Sequence, residues 1–175
     1  MTAPGLAVGD DAPDFTAPLV RPDGTTTDTP LADLLADGPV LLSFYTVDFS
    51  PDCVEEWCAF RDFDWFDAGA VQVVGVSRSG PWLHRKFIDR LGLEFPLYSD
   101  PDLDVARAYD VAYRAFRVSK RPRRSCFLVD SDGRIRYRWL GQHWLDPTLD
   151  TPPVGEIYEE IREIVDVEEP ETFGL

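Results

Sequence analysis

Short apolar runs alternate with longer segments of helical periodicity along most of this chain. Residues 40–45 and 71–76 are largely apolar, the pattern of strands that are buried on both faces. Residues 125–129 and 134–140 flank Ser131-Asp132-Gly133, a sequence typical of the turn of an antiparallel hairpin. This alternation of strands and helices predicts an α/β domain with a partly parallel sheet.

Capping residues and periodicity predict the helices and the N-terminal segment. Ser50 is suited to cap a helix that has Pro51 at its first position. Gly92 follows another predicted helix, where a left-handed residue commonly ends it. The predicted helices span residues 31–35, 50–66, 81–91, 102–109 and 154–165. Residues 14–27 predict an extended segment or hairpin that turns at residues 22–24, and residues 95–98 a short extended piece.

These elements predict one domain over residues 1–165, followed by an acidic C-terminal tail over residues 166–175. A buried strand, a cysteine-bearing helix, a second strand, another helix and a closing hairpin form the layout of a thioredoxin-like fold. We therefore expect a central mixed β-sheet flanked by helices, with an N-terminal hairpin extension.

The charge of the chain excludes two classes of partner. The 175 residues include 32 acidic and 17 Lys or Arg residues, a net charge of −15. Nucleic acids and anionic membranes both require a positive surface, so we expect neither as a partner. No apolar run approaches the roughly 20 residues of a membrane span, and no basic-then-apolar leader is present at the N-terminus. We expect a cytoplasmic location.

The positive charge is concentrated in one stretch of the chain. Most of these side chains are expected to form a solvated patch, whereas one or two are expected to point into a site. The stretch contains, within eleven residues, Arg114, Arg117, Lys120, Arg121, Arg123 and Arg124.

The three cysteines, Cys53, Cys58 and Cys126, are too few for a disulfide scaffold in a chain of this length. Cys53 falls in the first turn of its predicted helix, where unpaired N–H groups and the helix dipole favour the reactive thiolate. Cys126 lies among apolar strand residues and is expected to be inert. The spacing of His84 and His143 fits no metal site, so we expect no metal and no cofactor, and His84 is assigned no role.

The stretch from Phe44 to Cys53, FYTVDFSPDC, resembles the reactive site of the peroxiredoxins, the alkyl hydroperoxide reductase and thiol-specific antioxidant superfamily. That family carries F-Y-P-x-D-F-T-P-x-C at this site. Residues 73–77, 95–100, 108–111 and 124–130 resemble further family segments in the same order, so the resemblance covers about residues 8–139. Cys58 resembles the second cysteine of the bacterioferritin-comigratory, or Q-type, subgroup. The chain departs from the pattern at Thr46, where the family has proline.

The resemblance implies a thiol-dependent peroxidase that reduces hydrogen peroxide or organic hydroperoxides through Cys53. Ser50, the Cys53 backbone N–H and Arg124 are the expected hydrogen-bond donors to the reacting oxygens. Glu56 is expected to keep Arg124 in position through paired hydrogen bonds. Strand alternation allows either Arg124 or its neighbour Arg123 to face inward, but not both.

The residues expected around the peroxide pocket are Thr46, Phe49 and Trp57. The resemblance further implies a small hydroperoxide as substrate and a thioredoxin-like reductant, and the subgroup suggests a monomer or weak dimer.

The role of Cys58 is left open by the sequence. On a regular helix, residues five apart have Cα atoms about 8.7 Å apart, whereas a disulfide tolerates less than about 7 Å. If Cys58 resolves the sulfenic acid of Cys53, the helix must unwind locally. Otherwise Cys58 is a core residue and an outside thiol takes over that step.

Two other functions remain open at this stage. A thiol–disulfide oxidoreductase would use Cys53 and Cys58, although such enzymes favour two intervening residues rather than four. A non-enzymatic redox sensor on the same fold would read peroxide through Cys53, and Thr46 in place of the family proline is its best support.

Overall fold

The computed structural model describes residues 6–63, 71–115, 119–142 and 150–168. Nine strands and five helices lie within these ranges. In chain order they are Thr16–Val20 (β1), Thr26–Pro30 (β2), Leu31–Leu35 (α1), Val40–Phe44 (β3), Pro51–Arg61 (α2), Gln72–Ser77 (β4), Pro81–Leu91 (α3), Leu97–Ser99 (β5), Asp104–Ala108 (α4), Ala112–Ala115 (β6), Ser119–Pro122 (β7), Ser125–Val129 (β8), Ile135–Leu140 (β9) and Val154–Glu168 (α5).

Seven of the strands form one mixed sheet in the order β2-β1-β5-β4-β3-β8-β9. The pairs β3–β4 and β4–β5 are parallel. The pairs β1–β2, β1–β5, β3–β8 and β8–β9 are antiparallel. The predicted mixed sheet with an N-terminal hairpin is therefore confirmed, and the hairpin joins the sheet through β5.

The centre of the sheet is covered on both faces, which explains the apolar runs in the sequence. Every residue of β3 and β8 is buried. Because side chains alternate along a strand, Leu41 joins a cluster with residues of α2, α3 and α5, whereas Leu42 joins a cluster with residues of α1 and α4. Ile157 and Ile161 of the predicted apolar stripe of α5 are fully buried.

Three helices differ in their bounds from the prediction. Helix α2 ends at Arg61, earlier than predicted, and residues 64–66 lie outside the described residues. Helix α5 continues to Glu168, so the first three residues of the predicted tail are helical; the rest of that tail lies outside the described ranges. Helix α4 is shorter than predicted and spans Asp104–Ala108.

The strands β6 and β7, which pair as a separate hairpin, were not predicted. Their charged residues conceal the alternation that marks a strand, since Arg114 pairs with Lys120 across the hairpin. Arg117 falls in the sequence between the two strands, outside the described residues.

None of the helices within the described ranges is both long and apolar enough to span a bilayer.

Gly75 brings helix α2 close to the sheet. An added Cβ at this glycine would lie 2.6 Å from Cζ2 of Trp57 and 2.6 Å from Cδ2 of Leu97. Both side chains are fully buried, so neither can move into solvent. The absence of a side chain at residue 75 therefore lets the Trp57 ring, on the helix that carries Cys53, rest directly on β4.

We expect Gly75→Ala to destabilise the fold by about 1–3 kcal/mol, because overpacking forces buried groups to shift. The urea midpoint of unfolding measures the change. Gly155→Ala is the matched control, since its Cβ would lie at an ordinary 3.5 Å from Cζ of Phe63. Alanine is also favoured within a helix, so this control should be neutral or stabilising. Equal midpoints for the two variants would contradict the role of Gly75.

Candidate active site

The register of two central strands brings distant parts of the chain together. Phe44 at the end of β3 pairs with Ser125 at the start of β8. Arg124, the residue before Ser125, therefore lies where β3 ends and the chain turns toward α2. This position faces the first turn of α2, which contains Cys53.

Arg124 contacts the sulfur of Cys53. Its Nη2 donates to the Cys53 Sγ at 3.1 Å, and both residues are almost completely buried. Arg123 points the other way: it donates to the carbonyl of Gly141 and lies over the ring of Tyr113. Of the two arginines that the sequence left open, Arg124 is the one that faces the cysteine.

Glu56 occupies the other side of the same guanidinium. Arg124 Nη1 donates to Glu56 Oε2 at 3.2 Å, and the Ser43 hydroxyl donates to Glu56 Oε1 at 3.0 Å. Complete burial raises the pKa of the Glu56 carboxyl to about 7, against the opposing effects of Arg124 and Ser43. The guanidinium is thus shared between a buried carboxyl group and the sulfur. Ser43 was not predicted as a site residue.

Ser50 caps α2, as its position in the sequence predicts. The Cys53 backbone N–H donates to the Ser50 Oγ at 3.4 Å. This N–H was expected to face the substrate, but in the structure it is directed at the cap. The Ser50 hydroxyl hydrogen remains available, because its oxygen is the acceptor in that contact.

Thr46 takes the position of the family proline and contacts Cys53. Its Oγ1 lies 3.3 Å from Cys53 Sγ, within hydrogen-bond distance for sulfur. Thr46, Ser50 and Arg124 together line a cavity of about 690 Å³. Three polar side chains near the sulfur of Cys53 therefore also line this cavity.

Two residues that were expected at the pocket lie elsewhere. Trp57 is fully buried in the core, where it packs against Tyr45 and Phe60. Phe49 is 42% exposed and contacts Phe87 edge-on. Helical periodicity explains the position of Trp57, because a residue four positions after Cys53 on α2 faces the sheet with it. Neither aromatic ring lines the cavity.

A buried polar network holds the loop between β3 and α2, and the sequence did not reveal it. The Tyr45 hydroxyl donates to Asp48 Oδ1 at 2.5 Å, and Asp48 Oδ2 lies 2.7 Å from His84 Nδ1. His84 Nε2 lies 3.0 Å from the carbonyl oxygen of Tyr98 and must carry a hydrogen, because a carbonyl only accepts. The loop is thereby joined to α3 and β5.

One sequence signal could have identified His84. It occupies the apolar stripe of α3, four residues before Ile88 and three before Phe87. A buried histidine in such a stripe requires polar partners, and Asp48, just beyond a buried strand, was an available one.

The other two cysteines differ in their surroundings. Cys58 is half-buried and lies about 140° around α2 from Cys53, at 100° per residue. Cys126 is completely buried and its Sγ lies 3.5 Å from the Ser43 Oγ. Burial raises the pKa of the Cys126 thiol, which agrees with an inert side chain. All three cysteines are free thiols.

No group of three or more His, Cys, Asp or Glu side chains could hold a metal ion in the described part of the chain. Among the described residues, the polar side-chain groups that contact the Cys53 sulfur are the Arg124 guanidinium and the Thr46 hydroxyl.

The raised pKa of Glu56 predicts a pH-dependent stability. Between the ordinary value of 4.5 and the folded value of about 7, the folded state holds more protons than the unfolded state. Stability from this group is therefore present at low pH and is lost as pH rises through 7. Glu56→Gln cannot titrate, so the urea midpoint of the wild type, relative to this variant, should fall between pH 5 and pH 8. A difference that stays constant with pH would contradict the prediction.

The AhpC/TSA family model matches residues 8–138 of the chain. A Mycobacterium tuberculosis protein classed as a peroxiredoxin, Rv2521, is 37% identical over 134 residues, covering 74% of this chain and 82% of that protein. The bcp peroxiredoxin of Coxiella burnetii is 33% identical over 138 residues, covering 77% of this chain and 88% of that protein.

Solved structures show the same fold. The crystal structure of the peroxidoxin BcpB from Mycobacterium tuberculosis aligns with a TM-score of 0.74 at 25% identity, covering 94% of this chain and 99% of that one. A cysteine-to-serine mutant of PrxQ from Xylella fastidiosa aligns with a TM-score of 0.76 at 24% identity, covering 92% of this chain and 98% of that one.

The family match spans most of the chain, and the relatives include bcp and peroxiredoxin Q proteins. The peroxidase function that the resemblance implied is thereby favoured over a disulfide oxidoreductase or a sensor. The chain belongs to the AhpC/TSA family as a Q-type peroxiredoxin, a thiol-dependent peroxidase.

Proposed function

We propose that Cys53 is the residue that reduces the hydroperoxide. Its thiolate attacks the terminal peroxide oxygen, so that an S–O bond forms as the O–O bond breaks. The sulfur is oxidised to a sulfenic acid, and the leaving oxygen takes a proton and departs as water or an alcohol.

The contact between Arg124 and Cys53 carries this proposal. A guanidinium nitrogen 3.1 Å from the sulfur stabilises negative charge there, and the same side chain lines the cavity in which a peroxide would lie. Negative charge moves from sulfur to the leaving oxygen during the reaction. The buried guanidinium lies next to both the sulfur and the leaving oxygen. It therefore stabilises the charge on either atom without having to move.

Ser50 and Thr46 complete the proposed donor set. Both hydroxyls line the cavity, and that of Thr46 lies 3.3 Å from the sulfur. A proline at residue 46 would have no side-chain donor, so this chain provides a hydroxyl that the family pattern lacks. Glu56 does not reach the cavity; we propose that it positions Arg124 through their ion pair.

We propose that Cys58 completes the catalytic cycle. Its thiol attacks the sulfenic sulfur of Cys53, water leaves, and a disulfide forms. The two side chains lie on different faces of α2, so the first turns of the helix must unwind. A thioredoxin-like dithiol in the cytoplasm would then reduce the disulfide, with the enzyme acting as a monomer or weak dimer.

We expect Arg124→Gln to lower the rate of hydrogen peroxide reduction about 100-fold or more, the effect of losing one charged donor in a buried site. Arg124→Lys keeps the charge but not the planar fork, so it should recover only part of the rate. Stopped-flow mixing of the reduced protein with hydrogen peroxide measures each rate.

Two cysteine variants provide the controls for that experiment. Cys53→Ser should abolish peroxide reduction, whereas Cys126→Ala, at a buried cysteine outside the cavity, should retain it. A Cys53→Ser protein that still consumes peroxide would contradict the proposed function.

We expect one equivalent of hydrogen peroxide to link Cys53 and Cys58. The linkage requires α2 to unwind, which exposes Trp57 and changes its fluorescence. Peptide mass spectrometry of the treated, unreduced protein detects the disulfide. Cys58→Ser should instead stop at the sulfenic acid, which a dimedone adduct reveals. If the wild type yields the dimedone adduct and no linked peptide, an outside thiol resolves Cys53.

A further inference from the structure

Asp48 lies in the middle of the loop between β3 and α2, residues 45–50, and three groups hold it there. Its carboxyl group accepts a hydrogen bond from the Tyr45 hydroxyl and contacts His84 Nδ1. Its backbone N–H donates to the Ser79 Oγ at 2.9 Å. The side chains of Asp48 and His84 are both fully buried. The loop is therefore attached to α3 and to the segment between β4 and α3.

One hydrogen must lie between Asp48 and His84. His84 Nε2 already donates to the Tyr98 carbonyl oxygen. The Nδ1 and Oδ2 atoms are 2.7 Å apart, and two lone pairs would repel each other at that distance. Burial raises the pKa of the Tyr45 hydroxyl well above its ordinary value, so this group stays protonated and donates to Asp48 as well. Removing either partner would leave the other without its hydrogen bond in the protein interior.

The next residue of the loop has an unfavourable backbone conformation. Phe49 has a φ of +65°, in the left-handed region that residues with a Cβ seldom adopt. Such a conformation persists only where the surrounding structure fixes it. The Phe49 ring contacts Phe87, which lies almost one turn after His84 on α3. Helix α3 thus holds two successive loop residues, Asp48 and Phe49, in a shape that the loop would not keep alone.

The two proposed hydroxyl donors lie two residues on either side of Asp48. Thr46 and Ser50 both line the active-site cavity, whereas Asp48 and His84 do not. Arg124 is held separately, because it belongs to the segment before β8 and forms its ion pair with Glu56. A displacement of the loop would therefore move the two hydroxyls and leave the guanidinium in place.

We infer that His84 is a positioning residue for peroxide reduction by Cys53. It does not touch the substrate. Through its hydrogen-bonded contact with Asp48, it holds the hydroxyls of Thr46 and Ser50 at the cavity. This assignment rests on the proposed function, because these hydroxyls are the donors proposed for the Cys53 reaction.

The test compares two reactions of the same thiol in the full chain. Hydrogen peroxide requires both the Cys53 thiolate and donors to the leaving oxygen. Iodoacetamide requires the thiolate, but its iodide leaves without a hydrogen-bond donor. Stopped-flow mixing measures the first rate, and fragment mass spectrometry of alkylated Cys53 measures the second. The peroxide-to-alkylation ratio cancels any change in the thiolate population.

We expect His84→Ala to lower this ratio about tenfold or more, because small displacements of catalytic donors are costly to the rate. Ile88→Ala is the matched control, since it also truncates a buried side chain, one turn later on the same face of α3. This control should leave the ratio unchanged. The urea midpoint of each variant establishes that it is folded under the assay conditions.

Two milder substitutions test the hydrogen bonds themselves. Tyr45→Phe removes one donor to Asp48 and should lower the ratio about threefold. Asp48→Asn should stay near the wild-type ratio, because its amide can accept from Tyr45 and donate to Nδ1 of a neutral His84. Asp48→Ala can do neither and should match His84→Ala. These comparisons decide the inference even if His84→Ala does not fold.

The possible failures are distinguishable. If Tyr45→Phe has the same ratio as Ile88→Ala, or if Asp48→Asn is as impaired as Asp48→Ala, the positioning role is overturned while Cys53 still reduces peroxide. If hydrogen peroxide leaves Cys53 of the wild type unoxidised although iodoacetamide modifies it, the proposed function itself is overturned.

Discussion

The site depends on one buried guanidinium that two acceptors share. Arg124 is 1% exposed, and it donates to Glu56 through one terminal nitrogen and to the Cys53 sulfur through the other. A buried charge is costly unless charged or polar partners surround it, so these contacts are coupled. Glu56 is itself buried and is held by Ser43. The loss of any one of these groups would therefore alter the environment of the others.

The scaffold determines where this guanidinium lies. The antiparallel register of β3 and β8 places Arg124 at the end of β3, and Gly75 lets α2 approach the sheet from the neighbouring strand. The Asp48–His84 contact joins the intervening loop to α3. Because separate elements hold the thiol, the guanidinium and the loop, their geometry is set before a substrate enters. Preorganised donors of this kind lower a barrier most effectively.

Helix α2 has two opposing requirements. Its first turn must be intact for Ser50 to cap it and for Cys53 to face Arg124. The same turn must open if Cys53 is to reach Cys58 on another face. Trp57 and Phe60 anchor the helix to the core, whereas Cys58 is only half-buried. The packing energy of the two aromatic side chains would therefore oppose the proposed disulfide, and oxidation of Cys53 would have to offset it.

Local signals in the sequence were sufficient to predict most helices and strands, and to predict that Cys53 lies near the start of a helix. Apolar runs and capping residues predicted α1 and α3 with their observed bounds. Ser50 and Pro51 predicted a helix start that places Cys53 in the first turn. The charged strands β6 and β7 gave no such signal.

Arg124 was expected near Cys53 only from a family resemblance, since 71 positions separate them. The burial of His84 and the placement of Trp57 in the core were decided by the tertiary structure. Periodicity and capping act over a few residues, whereas contacts between distant side chains exist only once strand register and helix packing bring them together.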